Sequence, residues 1–267
     1  MDKTDFARQR QEDLQRLRGF RLLDDDFMAK VFEDKACAEL LLRIILKKND
    51  LIVNEVYGQL ALKNLQGRSA RLDVFATDST GKVYDIEVQR SARGAVAKRA
   101  RYNAALIDAN ISEPGDEYQA LNECYVIFIT ENDVIGAGLP LYHAERTILE
   151  TGKSFGDEQH ILYVNAQITD ETELGRLMHD MWCVEAEDMH YDILAERVRY
   201  FKENKEGVST MCRAMEEMRN ETAERTAFKT RVEAIIQIME SFNVTAQEAM
   251  KVLKIPEAEY PRYIAAL

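Results

Sequence analysis

The stretch Arg71-Leu72-Asp73-Val74-Phe75-Ala76-Thr77-Asp78-Ser79-Thr80-Gly81-Lys82-Val83-Tyr84-Asp85-Ile86-Glu87-Val88-Gln89-Arg90 carries the reading on which the fold turns. Apolar and polar residues alternate on both sides of Asp78-Ser79-Thr80-Gly81, and Gly81 is available for the positive φ of a tight turn. Period-two alternation predicts strands over 71–77 and 82–89, paired as an antiparallel hairpin. Residues two apart on a strand share a face, so Asp85, Glu87 and Gln89 point one way and Ile86 and Val88 the other. Asp73 is expected to share a face with Phe75, opposite Leu72, Val74 and Ala76. A hairpin turning near Ser79 then brings Asp73 towards Glu87. Two carboxylates beside a neutral amide make a hard-oxygen site suited to Mg2+ or Mn2+. Such an ion suits phosphodiester hydrolysis, because it acidifies bound water and neutralises the phosphate oxygens. The competing reading is a set of solvated carboxylates on the polar face of an amphipathic hairpin.

Immediately after the hairpin come Arg90, Arg93, Lys98, Arg99 and Arg101, with no acid before Asp108. Residues 93–111 read as a helix with Ala97, Ala100, Ala104, Ile107 and Ile111 on one face. The whole chain has a net charge of −12, yet residues 60–107 hold nine Lys/Arg against four Asp/Glu, +5, which leaves −17 for the remainder. A basic island in an acidic protein fits one phosphate-facing surface. It also fits a solvated basic helix face.

Working outward, the hairpin is preceded by a third strand-like run, 53–62, with a bulge expected at Gly58. Before it, Ala38, Leu41, Leu42, Ile45 and Leu46 follow the spacing of a core-facing helix. Residues 2–18 read as a short amphipathic helix, and Asp24-Asp25-Asp26 offers N-cap candidates for the next one. Downstream, the continuous apolar run 123–130 is the signature of a strand covered on both sides, and 160–165 is another short strand. Beyond about Glu171 the chain reads as helical, with Thr245-x-x-Glu248 as a capping box and Pro256 placed to begin a further helix. The N-terminus has no apolar signal-peptide core, and no apolar run is long enough to span a membrane. Four scattered cysteines without a CxxC pattern fit a reducing cytoplasm. His143, His160, His179 and His190 show no ligand spacing along the chain, which assigns them structural or surface roles.

The string 71–90 with Lys98-Arg99-Ala100-Arg101-Tyr102 resembles the PD-(D/E)XK nuclease family transposases, a group related to the Rpn-like recombination-promoting nucleases. Supporting pieces lie at 25–32, 125–131, 138–142 and 160–165, so the resemblance covers about residues 20–220. It implies an α/β fold with a restriction-endonuclease-like αβββαβ core, a mixed central sheet flanked by helices, and a helical C-terminal extension. It implies Mg2+ or Mn2+ as cofactor and DNA as partner, with no membrane association. By position Asp73 and Glu87 resemble the two motif acids, both metal ligands, and Gln89 stands in the place of the motif lysine. Glu39 is an auxiliary-acid candidate. Arg99 and Tyr102 resemble the basic and aromatic positions of the following helix, and with Arg90, Arg93, Lys98 and Arg101 they form the expected phosphate-binding set. Two departures stand out: Leu72 replaces proline before Asp73, and a neutral amide replaces the lysine charge. The expected organisation is a nuclease-like domain over 1–205 and a helical extension over 206–267, suited to homodimerisation through its helices. A metal-dependent DNA endonuclease tied to mobile elements or recombination is the leading reading. A catalytically weak DNA- or partner-binding module of the same fold, and a toxin or anti-phage nuclease, remain alternatives.

Overall fold

The computed structural model describes residues 3–64 and 67–267, with 3–7 as backbone only; residue 2, the expected start of the first helix, lies outside them. Three helices open the chain: α1 (Lys3–Arg18), α2 (Asp25–Phe32) and α3 (Lys35–Leu46). Asp24 is the N-cap residue of α2. Asp34 caps α3, its carboxylate accepting from the N–H groups of Ala36 (3.0 Å) and Cys37 (3.2 Å), which satisfies orphan donors of the first turn. The expected core face of α3 is buried at Ala38, Leu41, Leu42 and Ile45.

The strands β1 (Val53–Leu62), β2 (Ala70–Asp78) and β3 (Val83–Gln89) then form an antiparallel meander. Its second turn is tied by one side chain. Asp78 accepts from the Thr80 N–H (2.8 Å), the Thr80 hydroxyl (2.8 Å), the Lys82 N–H (3.0 Å) and the Tyr84 hydroxyl (2.7 Å). Gly81 adopts φ +86° there. The break in the β1–β2 register falls between Val53 and Glu55, while Gly58 stays paired with Val74. The glycine serves another purpose than the expected bulge: a Cβ at 58 would overlap the Glu33 carboxylate. One residue on, Gln59 has φ +53°, and across from it Leu72 and Phe75, three apart, pack into the same core. Strict alternation is therefore interrupted at Asp73, and Leu72 does not face away from Phe75 as the simple pattern requires.

After β3 the chain turns through residues 91–96 before α4 (Ala97–Ile111). The helix starts later than residue 93 because Gly94 is spent on a tight turn, its N–H donating to the Ser91 carbonyl at 2.9 Å. Ala97 is consequently exposed, and Ala100, Asn103, Ala104 and Ile107 form the buried face. The next strand, β4 (Cys124–Thr130), is buried throughout and runs parallel to β3. An edge strand β5 (Leu141–Ala144) and a small hairpin, β6 (Thr147–Ile148) with β7 (Lys153–Ser154), precede β8 (Gln159–Asn165). Together they make a six-stranded mixed sheet ordered β1-β2-β3-β4-β8-β5. Ala100, Ala104 and Ile107 of α4 pack on Phe75, Val83, Val126 and Phe128; α2 and α3 pack on the meander. The αβββαβ order is thus present in α3-β1-β2-β3-α4-β4.

Helices α5 (Glu173–Trp182) and α6 (Asp192–Glu203) lead into the 38-residue α7 (Lys205–Phe242). The chain divides into two compact units, Met1–Met211 and Cys212–Leu267, with the boundary inside α7. The second unit adds α8 (Ala246–Val252) and α9 (Tyr260–Ile264) around a core of Ile235, Ala249, Met250, Ile255 and Tyr263. Thr245 and Glu248 form the capping box of α8. Pro256 precedes a short 3-10 turn, and it is Pro261 that occupies the first turn of α9. Among the described residues no helix is long and apolar enough to cross a membrane.

Because Asp78 holds four donors of the β2–β3 turn, Asp78→Ala is expected to cost about 2–3 kcal/mol, the range for hydrogen bonds to a charged group. Urea titration of the two proteins measures this, and an unchanged midpoint would show that the turn closes without Asp78.

Candidate metal centre

The alternation that makes β3 a strand puts Asp85 and Glu87 on its α4 side, and both are buried to 0 % exposure. Asp73 is half-buried and lies one step beyond the paired residues Val74 and Ile86. Its carboxylate accepts from the Val88 N–H at 3.2 Å. The Arg99 guanidinium reaches in from the first turns of α4 to pair with Glu87 and also donates to the Gly94 carbonyl at 3.1 Å. Asn103, one turn on, donates to Asp85 (2.9 Å) and Glu87 (3.3 Å). The solvated-face reading of the hairpin does not describe this geometry.

Burial disfavours the charged form of all three acids, and neighbouring charge adds to it: Glu87 raises Asp73, Asp73 raises Asp85, and Asp85 raises Glu87. Desolvation first, and then the charges of Glu87 and Asp25, push Asp73 up to about 8. Glu87 is raised by burial and then by Asp85; Asp85 is raised by burial, against the Asn103 hydrogen bond. Three carboxylates face one permanent guanidinium charge, which leaves two negative charges uncompensated when all are ionised. Asp85 also keeps one buried oxygen without a hydrogen-bond partner. Hard oxygen donors with a deficit of two positive charges fit a divalent cation such as Mg2+ or Mn2+.

The residues expected from sequence divide into three groups. Asp73, Glu87 and Gln89 come together: the Gln89 amide donates to Glu87 at 3.2 Å, and Gly94 makes room for it, since a Cβ there would overlap the Gln89 carboxamide. Arg99 joins them, as a partner of Glu87 rather than a free phosphate ligand. A second group is structurally engaged. Arg90 pairs with Asp24 (3.4 Å) and Glu131 (3.3 Å), the acids that also hold Arg21. The Tyr102 hydroxyl donates to the Arg68 carbonyl and accepts from Asn64, buttressing the β1–β2 connection. Arg93, Lys98 and Arg101 are exposed and, among the described residues, have no ion-pair partner. Glu39 is not brought to the site. It accepts from the Val53 N–H (2.9 Å) and pairs with Arg43 (2.6 Å). Val53 is paired with Asp78, roughly 16 Å along the strand from Asp73 at about 3.3 Å per residue.

Three participants escaped the sequence reading. Asp85 was visible as a residue sharing the Glu87 face but carried no motif position. Asn103 sits one helical turn after Arg99, and nothing in composition marks it. Asp25, read only as part of an N-cap run, stands at the α2 N-terminus close enough for its charge to raise Asp73.

The crowding of charge makes a signed prediction. An acid whose pKa is raised by folding costs no stability below its unfolded value of about 3.9 and costs increasingly more as pH rises towards its folded value. Asp85→Asn keeps the acceptor for Asn103 and removes one charge. The metal-free variant is expected to gain about 1–3 kcal/mol at pH 8 and almost nothing at pH 4.5. Urea titrations at the two pH values measure it; an equal effect at both would place the burden elsewhere.

Comparison with known families matches residues 32–242 of the 267 to the family described as PD-(D/E)XK nuclease family transposase. No curated protein and no solved structure matches the chain. The matched span runs from the end of α2 to the end of α7 and so takes in the whole six-stranded sheet and the carboxylates on it. The chain belongs to the PD-(D/E)XK nuclease family transposases.

Proposed function

We propose that this chain is a metal-dependent DNA endonuclease that uses Mg2+ or Mn2+ held by Asp73 and Glu87, with Asp85 supporting the pair. The observation that carries the reading is the buried pair Asp85 and Glu87 with half-buried Asp73 beside them and the Arg99 guanidinium paired with Glu87. A divalent ion bound there would supply a nucleophilic hydroxide at neutral pH and neutralise phosphate oxygens. Glu87 is oriented from two sides, by Arg99 and by Asn103. Arg99, paired with Glu87, brings into the site the positive charge that Gln89, in the lysine position, lacks. Gln89 contributes an oriented amide that holds the Glu87 carboxylate. Mobile-element or recombination chemistry follows from the family rather than from this geometry. The four cysteines are free, which supports action in a reducing cytoplasm. Exposed Phe242 and Val252 on the second unit support self-association through its helices, with residues 206–267 as an extension to the nuclease-like 1–205.

Cleavage of supercoiled plasmid is expected with Mg2+ or Mn2+ and not with EDTA, and Glu87→Ala and Asp73→Ala are each expected to lower the rate at least about 100-fold, as loss of a metal-held charge in the transition state does. Circular dichroism checks that both variants fold. Cleavage by the folded Glu87→Ala protein at the wild-type rate would refute the reading.

Arg93, Lys98 and Arg101 are the basic residues left available for the phosphate backbone. Replacing each by Ala is expected to lower the slope of log affinity against log salt by about 0.9 on duplex DNA, equally for unrelated sequences. A salt titration in Ca2+, which limits cleavage, measures the slopes. If all three are unchanged, the stripe is ordinary solvated surface and DNA is held elsewhere.

A further inference from the structure

The far edge of the sheet gathers side chains that the nuclease chemistry does not use. His143 on β5, Glu145 just beyond it and His160 on β8 bring one ligand atom each to a common point. Extending the β5–β8 register by one residue sets Glu145 opposite His160, with His143 diagonal to it on the same face. His143 Nε2 lies 3.0 Å from His160 Nδ1 and 3.2 Å from Glu145 Oε1, and His160 Nδ1 lies 3.0 Å from the same oxygen. For bond lengths of about 2.0–2.1 Å, tetrahedral coordination separates ligand atoms by about 3.3–3.4 Å, so these atoms need move only a few tenths of an ångström to share one ion.

Carboxylates stand at both ring nitrogens of His160. The other nitrogen of His160, Nε2, faces Glu123 Oε1 at 3.4 Å. Glu123 is itself held by Lys82 (2.5 Å) and by the Tyr125 hydroxyl (2.5 Å). The Tyr125 ring stacks on His160 with centroids 4.4 Å apart. In the Nε2–H tautomer the Nδ1 lone pair is available, with Glu123 beyond the ring as the carboxylate found behind metal-ligating histidines. That lone pair meets a carboxylate oxygen and His143 Nε2, and with His143 in its Nδ1–H tautomer a cation satisfies all three atoms together. A cavity of about 210 Å³ opens beside them, lined by Glu123, Glu145, Gly156, Asp157 and His160, with room for a fourth ligand. The other grouping of this kind, His179, Asp180 and Cys183, is committed structurally. Asp180 accepts from the N–H groups of His190 (2.8 Å) and Tyr191 (2.9 Å), and burial pushes the Cys183 thiol up to about 11, away from the thiolate a metal needs.

We propose that His143, Glu145 and His160 form a second metal site, separate from the carboxylate centre and selective for a Zn2+-class ion. Two imidazoles and one carboxylate suit Zn2+ over Mg2+ or Ca2+, and three protein ligands leave a position open to the cavity. The ion ties the outermost strand, β5, to β8 and closes the β6–β7 excursion between them.

Co2+ is the probe, since tetrahedral Co2+ absorbs strongly in the visible whereas octahedral oxygen sites absorb weakly. The full chain, stripped with chelator and held in excess Mg2+ to occupy the carboxylate centre, is titrated with CoCl2. One equivalent is expected to give tetrahedral bands that Zn2+ bleaches. His143→Ala and His160→Ala are each expected to abolish the bands, and Cys183→Ser to leave them intact. His143 is exposed, so its truncation leaves the fold in place, and it decides the question should His160→Ala fail to fold. Absence of tetrahedral bands, their survival in folded His143→Ala, or their loss only in Cys183→Ser overturns the proposal.

Discussion

Charge confined in a place where water cannot screen it organises the first unit of this protein. Asp85 and Glu87 lie under α4, with Asp73 half-buried beside them, and Arg99 pairs with Glu87. Like charges at low dielectric repel strongly, and a buried carboxylate persists only if donors and cations are brought to it. The local structure reads as the means of bringing them. The Asp78-tied turn sets the β2–β3 register. Gly94 lets the chain fold tightly after β3 and leaves space for Gln89. The late start of α4 then puts Arg99 and Asn103 one turn apart over the acids.

The same constraint explains why the basic stripe after the motif does not act as a unit. Arg90 is drawn to Asp24 and Glu131, and Arg99 to Glu87, because a guanidinium near a half-buried carboxylate gains more from pairing than from hydration. Arg93, Lys98 and Arg101 are exposed and have no ion-pair partner among the described residues. Of five basic residues close in sequence, two are engaged in ion pairs and three are exposed once folded. An acidic protein can therefore keep exposed basic residues beside a carboxylate cluster.

Much of the fold was legible in the chain. The meander, the buried strand β4, the amphipathic α3 and the capping box of α8 each follow from periodicity or from a local hydrogen bond, and these act over a few residues. That Glu87 and Gln89 share a face was legible for the same reason, since a period of two fixes it, whereas the alternation breaks at Asp73. Glu39 misled because a helix acid carries no record of what it will face. In the structure it caps the first strand N–H of β1 instead. The bulge expected at Gly58 misled in the same way, since the glycine answers to Glu33 from another element.

Sequence by itself therefore determined the main helices and strands of the core and the β2–β3 pairing, because those depend on spacing along the chain. Tertiary structure alone decided that the acids are buried, that Asp25 and Asn103 stand near them, and which of the basic residues remain free. It also decided that His143, Glu145 and His160 converge, though 17 residues separate the two histidines in the chain. Those outcomes require strands and helices distant in sequence to pack together. Burial, electrostatic coupling and ligand geometry are properties of that packing, and no local pattern encodes them.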